Sequence, residues 1–263
     1  PGAFFRMMCQ NEAFDVDARP NKWGGGYCTE FVKYHQPFIL ANFNGTSGDV
    51  DVVTHEAGHA LNAYLIADNR FALELGCGGM ETAETHSMSM EFFAWPYLDG
   101  FFPKAGDAQR YRFQHALDAL SFLPYGTMVD EFQHRVYAEP DLTPAGRNAV
   151  WLELEAKYRP YIDQRGIPYL ERGTRWQYQM HIYETPFYYI DYCLAQTAAF
   201  QFLLASQDDY DGAFARYLHL SQQGGEKLWT DLLTEAGFRS PFAPGALAQL
   251  AAQVEPLIRR QNI

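Results

Sequence analysis

Basic residues are scarce: Lys and Arg number 20 against 32 Asp and Glu, a formal charge of −12 over 263 residues. A nucleic-acid partner needs a basic face to neutralise phosphates, so this balance argues against one. Long apolar runs are missing too. No stretch approaches the roughly 20 residues that cross a bilayer, and no signal peptide is recognisable, so no membrane partner is expected. Cysteine is sparse: Cys9, Cys28, Cys77 and Cys193 lie scattered, without C-x-x-C spacing. They read as free thiols of a reducing, cytoplasmic compartment rather than as a disulfide framework. There is no internal repeat and no low-complexity segment.

What is present is enough apolar residue, 48%, for a sizeable core in one large domain or two small ones. Residues 1–26 read as irregular, with Pro20 and the triplet Gly24-Gly25-Gly26. Residues 27–29 and 37–44 read as short strands, with Asn44-Gly45 as a turn. Beyond Ala105 the pattern is helical. Helices are predicted over 107–123 and 127–137, then from Pro144, capped by Thr143, to about residue 158. A loop is predicted at 166–173, a helix near Thr174, and further helices at 186–206, 211–222, 225–236 and 246–259. The fold class is mainly α with a small β element near the N-terminus.

The most informative stretch is Thr54-His55-Glu56-Ala57-Gly58-His59. It is an H-E-x-x-H sequence inside an apolar-periodic run over residues 50–65, where Val50, Val53, Ala57 and Leu61 recur at helical spacing. Thr46 and Ser47 are candidate N-caps, and Asp49 falls in the first turn, where it complements the helix dipole. Positions i and i+4 share a helix face, so His55 and His59 stand side by side as two ligands for one zinc ion. Glu56 lies beside them as a general base. Gly58 allows another element to approach closely. The ordinary alternative is an amphipathic helix with two unrelated histidines.

Catalytic zinc takes three protein ligands. After the break at residues 76–79 comes a second predicted helix, residues 80–93, offering Glu81, Glu84, His86 and Glu91. Chemistry alone allows Glu81 or Glu84, and His86 projects elsewhere if Glu84 faces the metal.

This pair of helices resembles the M3 family of zinc metallopeptidases, which includes thimet oligopeptidase and the oligoendopeptidase F group. The pattern is H-E-x-G-H followed by a Glu-x-x-Ser-x-x-x-Glu helix. Here Glu84 falls 25 positions after His59, with Ser87 and Glu91 in register. The resemblance implies that Glu84 is the third ligand and that Glu91 orients a ligand histidine. It implies a helical zincin-type catalytic domain over residues 1–263, corresponding to the C-terminal, catalytic part of a longer peptidase. It also implies that a strand of the small sheet pairs with extended substrate.

A second constellation is His181-Ile182-Tyr183-Glu184-Thr185-Pro186-Phe187-Tyr188-Tyr189-Ile190-Asp191-Tyr192. Tyr188 and Tyr192 are i, i+4 on a predicted helix. Amide hydrolysis builds negative charge on the carbonyl oxygen, and rigid neutral donors such as tyrosine stabilise it. In the M3 family a histidine and one or two tyrosines do this. The resemblance matches His181, Tyr192 and Tyr188 to them, with Tyr189 as alternate. Glu184-Thr185-Pro186 replaces the glycine-rich loop of thimet-type enzymes, as in the oligoendopeptidase F branch.

The implied activity is that of a metalloendopeptidase acting on oligopeptides with one zinc per chain. Rival readings are another H-E-x-x-H enzyme such as a metallocarboxypeptidase, or a non-catalytic helical peptide-binding domain with a relic metal site. Glu131 and His134 form a Glu-x-x-His pair of the kind seen in di-iron bundles. No matching second helix exists, so a polar network is expected there.

Overall fold

Residues 18–26 are irregular, as expected, but residues 1–17 are not. In the computed structural model, which describes residues 1–67, 76 and 78–261, they form helix α1, Gly2–Gln10, and strand β1, Phe14–Asp17. Phe4 and Met8, four residues apart, are the buried side of α1. That pair is too short a periodicity to stand out in sequence. Strand β2, Tyr27–Phe31, and strand β3, Gln36–Phe43, appear where expected. β1 pairs parallel with β3, with Phe14 opposite Ile39. β2 pairs antiparallel with β3, with Cys28 opposite Ile39. The order β1-β3-β2 leaves β2 on an edge.

The Asn44-Gly45 turn feeds helix α2, Gly48–Ile66. Ser47 occupies the N-cap without a side-chain cap bond. The turn is held instead by the Asp49 carboxylate, which accepts from the Asn44 N–H at 3.0 Å and the Gly45 N–H at 2.7 Å. Helix α3, Met80–Phe93, begins after Gly79; Cys77, in the expected break, lies outside the described residues.

The helices predicted at 107–123 and 127–137 are one, α4, Asp107–Ala138, with Pro124 inside it. Proline removes one backbone donor. The apolar stripe of Met128, Val129 and Phe132 beyond it is buried, and that packing outweighs the local break. Helix α5, Pro144–Tyr158, carries the expected cap, the Thr143 Oγ1 accepting from the Gly146 N–H at 3.1 Å. The helix expected near Thr174 is a 3-10 turn, Arg175–Tyr178. Short helix α6, His181–Glu184, precedes α7, Tyr189–Asp208. The predicted start at Pro186 fails because Phe187 adopts φ +65°, outside right-handed helix. Helices α8, Tyr210–Ser221, α9, Trp229–Glu235, and α10, Ala246–Gln261, complete the chain.

Two compact units emerge, Pro1–His115 with Ala195–Ile263, and Ala116–Leu194. In the first, Phe4, Met8, Ile39, Leu61, Phe93, Phe202 and Tyr217 share one core, which joins α1, the sheet, α2, α3 and α8. In the second, Met128, Phe132, Trp151, Leu154 and Trp176 form another. Cys9, Cys28 and Cys193 are free thiols. Among the described residues no helix is long and apolar enough to cross a membrane.

Candidate metal centre

His55 and His59 project from successive turns of α2, their ring centroids 5.0 Å apart. Buried Glu84 meets them from α3, its Oε2 3.3 Å from His55 Nε2 and 3.6 Å from His59 Nε2. One ligand atom from each residue lies within 4.8 Å of the others, a group that could hold a metal ion. Glu81 is not part of it; its carboxylate lies against Gly79 at the start of its own helix. His86 points away, as expected, and is buried. Its Nδ1 is 3.3 Å from Ser221 Oγ, and burial lowers its pKa to about 3.

The two helices come this close because residue 58 has no side chain. A Cβ there would sit 2.5 Å from the His86 carbonyl oxygen and 2.6 Å from Ser87 Cα, a backbone contact that nothing flexible can relieve. Ser87 Oγ donates to Glu84 Oε2 at 2.9 Å and so fixes the carboxylate's rotation.

With both Nε2 atoms unprotonated, three acceptor atoms converge here and repel unless a cation lies between them; without an ion, a proton on an imidazole takes that place. The titration behaviour has the same sense. Burial alone would depress His55, but hydrogen bonds to Glu84 and Glu91 outweigh it and raise its pKa well above the ordinary value. Burial pushes Glu84 upward, but the bonds to His55 and His59 hold it far below the usual carboxylate range. The site is built to favour positive charge, and two imidazoles with one carboxylate suit a divalent metal.

Glu91 was expected to orient a ligand histidine, and it accepts from His55 Nδ1 at 2.7 Å. The sequence reading missed what lies behind it. Trp95 Nε1 donates to His115 Nδ1 at 3.0 Å. An indole can only donate, so His115 carries its proton on Nε2 and donates to Glu91 Oε2 at 2.7 Å. Burial would raise Glu91, but the bonds from His115 and His55 lower it to about 2. The relay fixes the proton of His55 on Nδ1 and turns its Nε2 lone pair toward Glu84. His115 stands on α4, and no local pattern ties it to a motif 24 residues earlier.

Glu56 is buried, and its Oε2 has no hydrogen-bond partner. Burial raises its pKa against the pull of His55 and His59. An orphaned carboxylate oxygen beside the three candidate ligands is the atom to which a water would donate.

His181, Tyr188 and Tyr192 belong to the second unit. Tyr188 lies one residue before α7 rather than within it. Its ring still meets that of Tyr192 at 4.9 Å, and His181 lies 6.0 and 5.7 Å from the two. Tyr189, the alternate, also joins this group, its ring 4.9 Å from His181 and 5.5 Å from Tyr192, while it packs against Phe122 and Tyr125 toward the core of this unit. Burial raises its pKa. Glu131 accepts from Lys157 at 2.7 Å and from Tyr158, while His134 pairs with Asp130 at 3.4 Å. The Glu-x-x-His pair is thus spent on a polar network.

Known proteins resemble this chain over nearly its whole length. A profile of the family described as Peptidase family M3 matches residues 4–252. Oligopeptidase PepF of Bacillus subtilis (strain 168) is 25% identical over 237 residues, 87% of this chain and 34% of that protein. The solved structure described as PZ peptidase A with inhibitor 2 is 48% identical, with a TM-score of 0.94, over 99% of this chain and 46% of that one. The chain spans less than half the length of these relatives.

Proposed function

The chain belongs to peptidase family M3, and on that premise we propose that it is the zinc-bearing catalytic portion of a metalloendopeptidase that cuts internal bonds of oligopeptides. The observation that carries the reading is the convergence of His55, His59 and Glu84 beside the partnerless oxygen of Glu56. His55, His59 and Glu84 hold the ion, and Glu91 and Ser87 fix the ligand orientations. Zinc held there supplies Lewis acidity toward a water and the scissile carbonyl.

Glu56 accepts the proton of the attacking water and later delivers it to the leaving amine. Its raised pKa suits it to both halves of that task. By the family resemblance alone, Tyr188, Tyr192 and His181 are assigned as donors to the carbonyl oxygen as it gains charge. One such donor is worth roughly 3 kcal/mol. Edge strand β2 pairs with the extended peptide backbone, a mode that tolerates varied side chains. The oligopeptide class of substrate rests on family membership, and the free thiols favour a reducing, cytoplasmic setting.

The test joins elemental analysis to cleavage of a quenched fluorescent peptide, with and without chelator, followed by identification of products. One zinc per chain and chelator-sensitive internal cuts are expected. Release of single C-terminal residues would reassign the chain to carboxypeptidase chemistry. A protein that neither holds nor takes up a metal would overturn the reading.

A further inference from the structure

His181 is one of three donors in the proposed reaction, and a histidine donates from Nε2 only when that nitrogen carries the proton. The second unit contains the groups that decide this. Gln179 Nε2 lies 2.8 Å from His181 Nδ1. The Tyr125 hydroxyl donates to Gln179 Oε1 at 2.8 Å. Burial pushes the Tyr125 phenol upward in pKa, and the positive charge of Arg175 pulls it back. The Arg175 guanidinium carbon also stands 5.4 Å from the centre of the Tyr125 ring, and that of Arg159 stands 5.1 Å from it.

The polarity of this chain can be worked out from its far end. A guanidinium has no acceptor. Neither Arg175 nor Arg159 beside the ring can take the phenol proton, so it must be handed elsewhere. Its acceptor is Gln179 Oε1. That choice turns the amide NH₂ of Gln179 to the other side, where it faces His181 Nδ1. An amide nitrogen only donates, so Nδ1 must accept and the imidazole proton resides on Nε2. The reversed amide would turn its NH₂ to the Tyr125 hydroxyl and leave the phenol proton without this acceptor.

We propose that Gln179 and Tyr125 are positioning residues, which hold His181 as the neutral Nε2–H tautomer and so present it as a hydrogen-bond donor. The relay mirrors the one that ends on His55, with opposite outcome. There a carboxylate acceptor puts the histidine proton on Nδ1, as a metal ligand requires. Here an amide donor keeps it off Nδ1, as an oxyanion donor requires. The catalytic consequence rests on the reading of His181 given under the proposed function; the tautomer itself does not.

Long-range ¹H–¹⁵N spectra of the imidazoles, with His181 assigned by comparison with His181→Asn, read the tautomer directly in the whole chain. The unsubstituted protein is expected to show Nε2 protonated and Nδ1 bare. Nδ1 protonated instead would overturn the relay. Gln179→Glu replaces the donor by an acceptor and should move the proton to Nδ1. Tyr125→Phe keeps the ring but removes the hydroxyl, and should yield a mixture of tautomers. Retention of the Nε2–H form in both variants would also overturn the relay.

In peptide cleavage, Gln179→Glu should lower kcat about tenfold with little change in KM, the effect of one misdirected hydrogen bond. A shifted tautomer with unchanged kcat would uphold the relay and remove His181 from the reaction, so the two ideas fail separately.

Discussion

Glu56 and Glu84 sit side by side in a buried site, yet their environments drive them apart. Glu84 faces two imidazoles and is held ionised, whereas burial raises Glu56 and one of its oxygens stays unpartnered. Their substitutions should therefore separate binding from chemistry. Glu56→Gln keeps size and neutralises the base, so zinc content should stay at the level of the unsubstituted chain. Turnover should fall about a hundred- to ten-thousandfold, the usual worth of a general base; unchanged turnover would remove Glu56 from the reaction. Glu84→Ala should instead lose metal in dialysis, and full occupancy there would redirect the ligand assignment to Glu81. Glu91→Gln still bonds to His55 but no longer carries the charge. It should weaken zinc retention about ten- to a hundredfold in competition with a chelator. The convergence of His55, His59 and Glu84 was legible because helical spacing fixes i and i+4 on one face, and Glu84, Ser87 and Glu91 keep register along a single helix. His115, Trp95, Gln179 and Tyr125 were not. They act by contact between elements far apart in sequence, and no local periodicity encodes such a meeting.

At the scale of elements, the approach of α2 to α3 assembles the site, and Gly58 permits it. A glycine inside a helix costs about 1 kcal/mol relative to alanine, so propensity alone makes Gly58→Ala stabilising. The sterics point the other way. The added methyl would meet backbone atoms of His86 and Ser87 at 2.5 and 2.6 Å. Overpacking of that sort costs typically 1 to 3 kcal/mol and would push Glu84 away from the histidines. The variant should melt lower than the unsubstituted chain and bind zinc more weakly, as calorimetry in the presence and absence of metal would show. A higher melting temperature would mean the helices separate without strain. The same competition between local preference and packing explains where the element reading went astray. Pro124 signals a break, but the buried stripe of Met128, Val129 and Phe132 carries α4 through it. α1 shows only Phe4 and Met8 on its buried side, too little to be seen without the core that receives them.

At the scale of the whole molecule, all three candidate ligands lie in one of the two units. A ligand that binds the folded site stabilises only those states in which the site is formed, by about 4 kcal/mol when free metal is a thousandfold above its Kd. Local opening of the second unit leaves His55, His59 and Glu84 in place, so metal should not oppose it. Hydrogen exchange with and without chelator can separate the two behaviours. Chelation should speed exchange in peptides from α2 and α3, where the ligands stand. Peptides from α5, Pro144–Tyr158, should change little under native conditions. Glu84→Ala should abolish the difference, since nothing remains for the chelator to remove. An equal effect on α5 and α2 would mean the units open only together. No effect on α2 and α3 would mean that the convergent histidines and glutamate do not hold the ion, which would undo the assignment from which the catalytic reading starts.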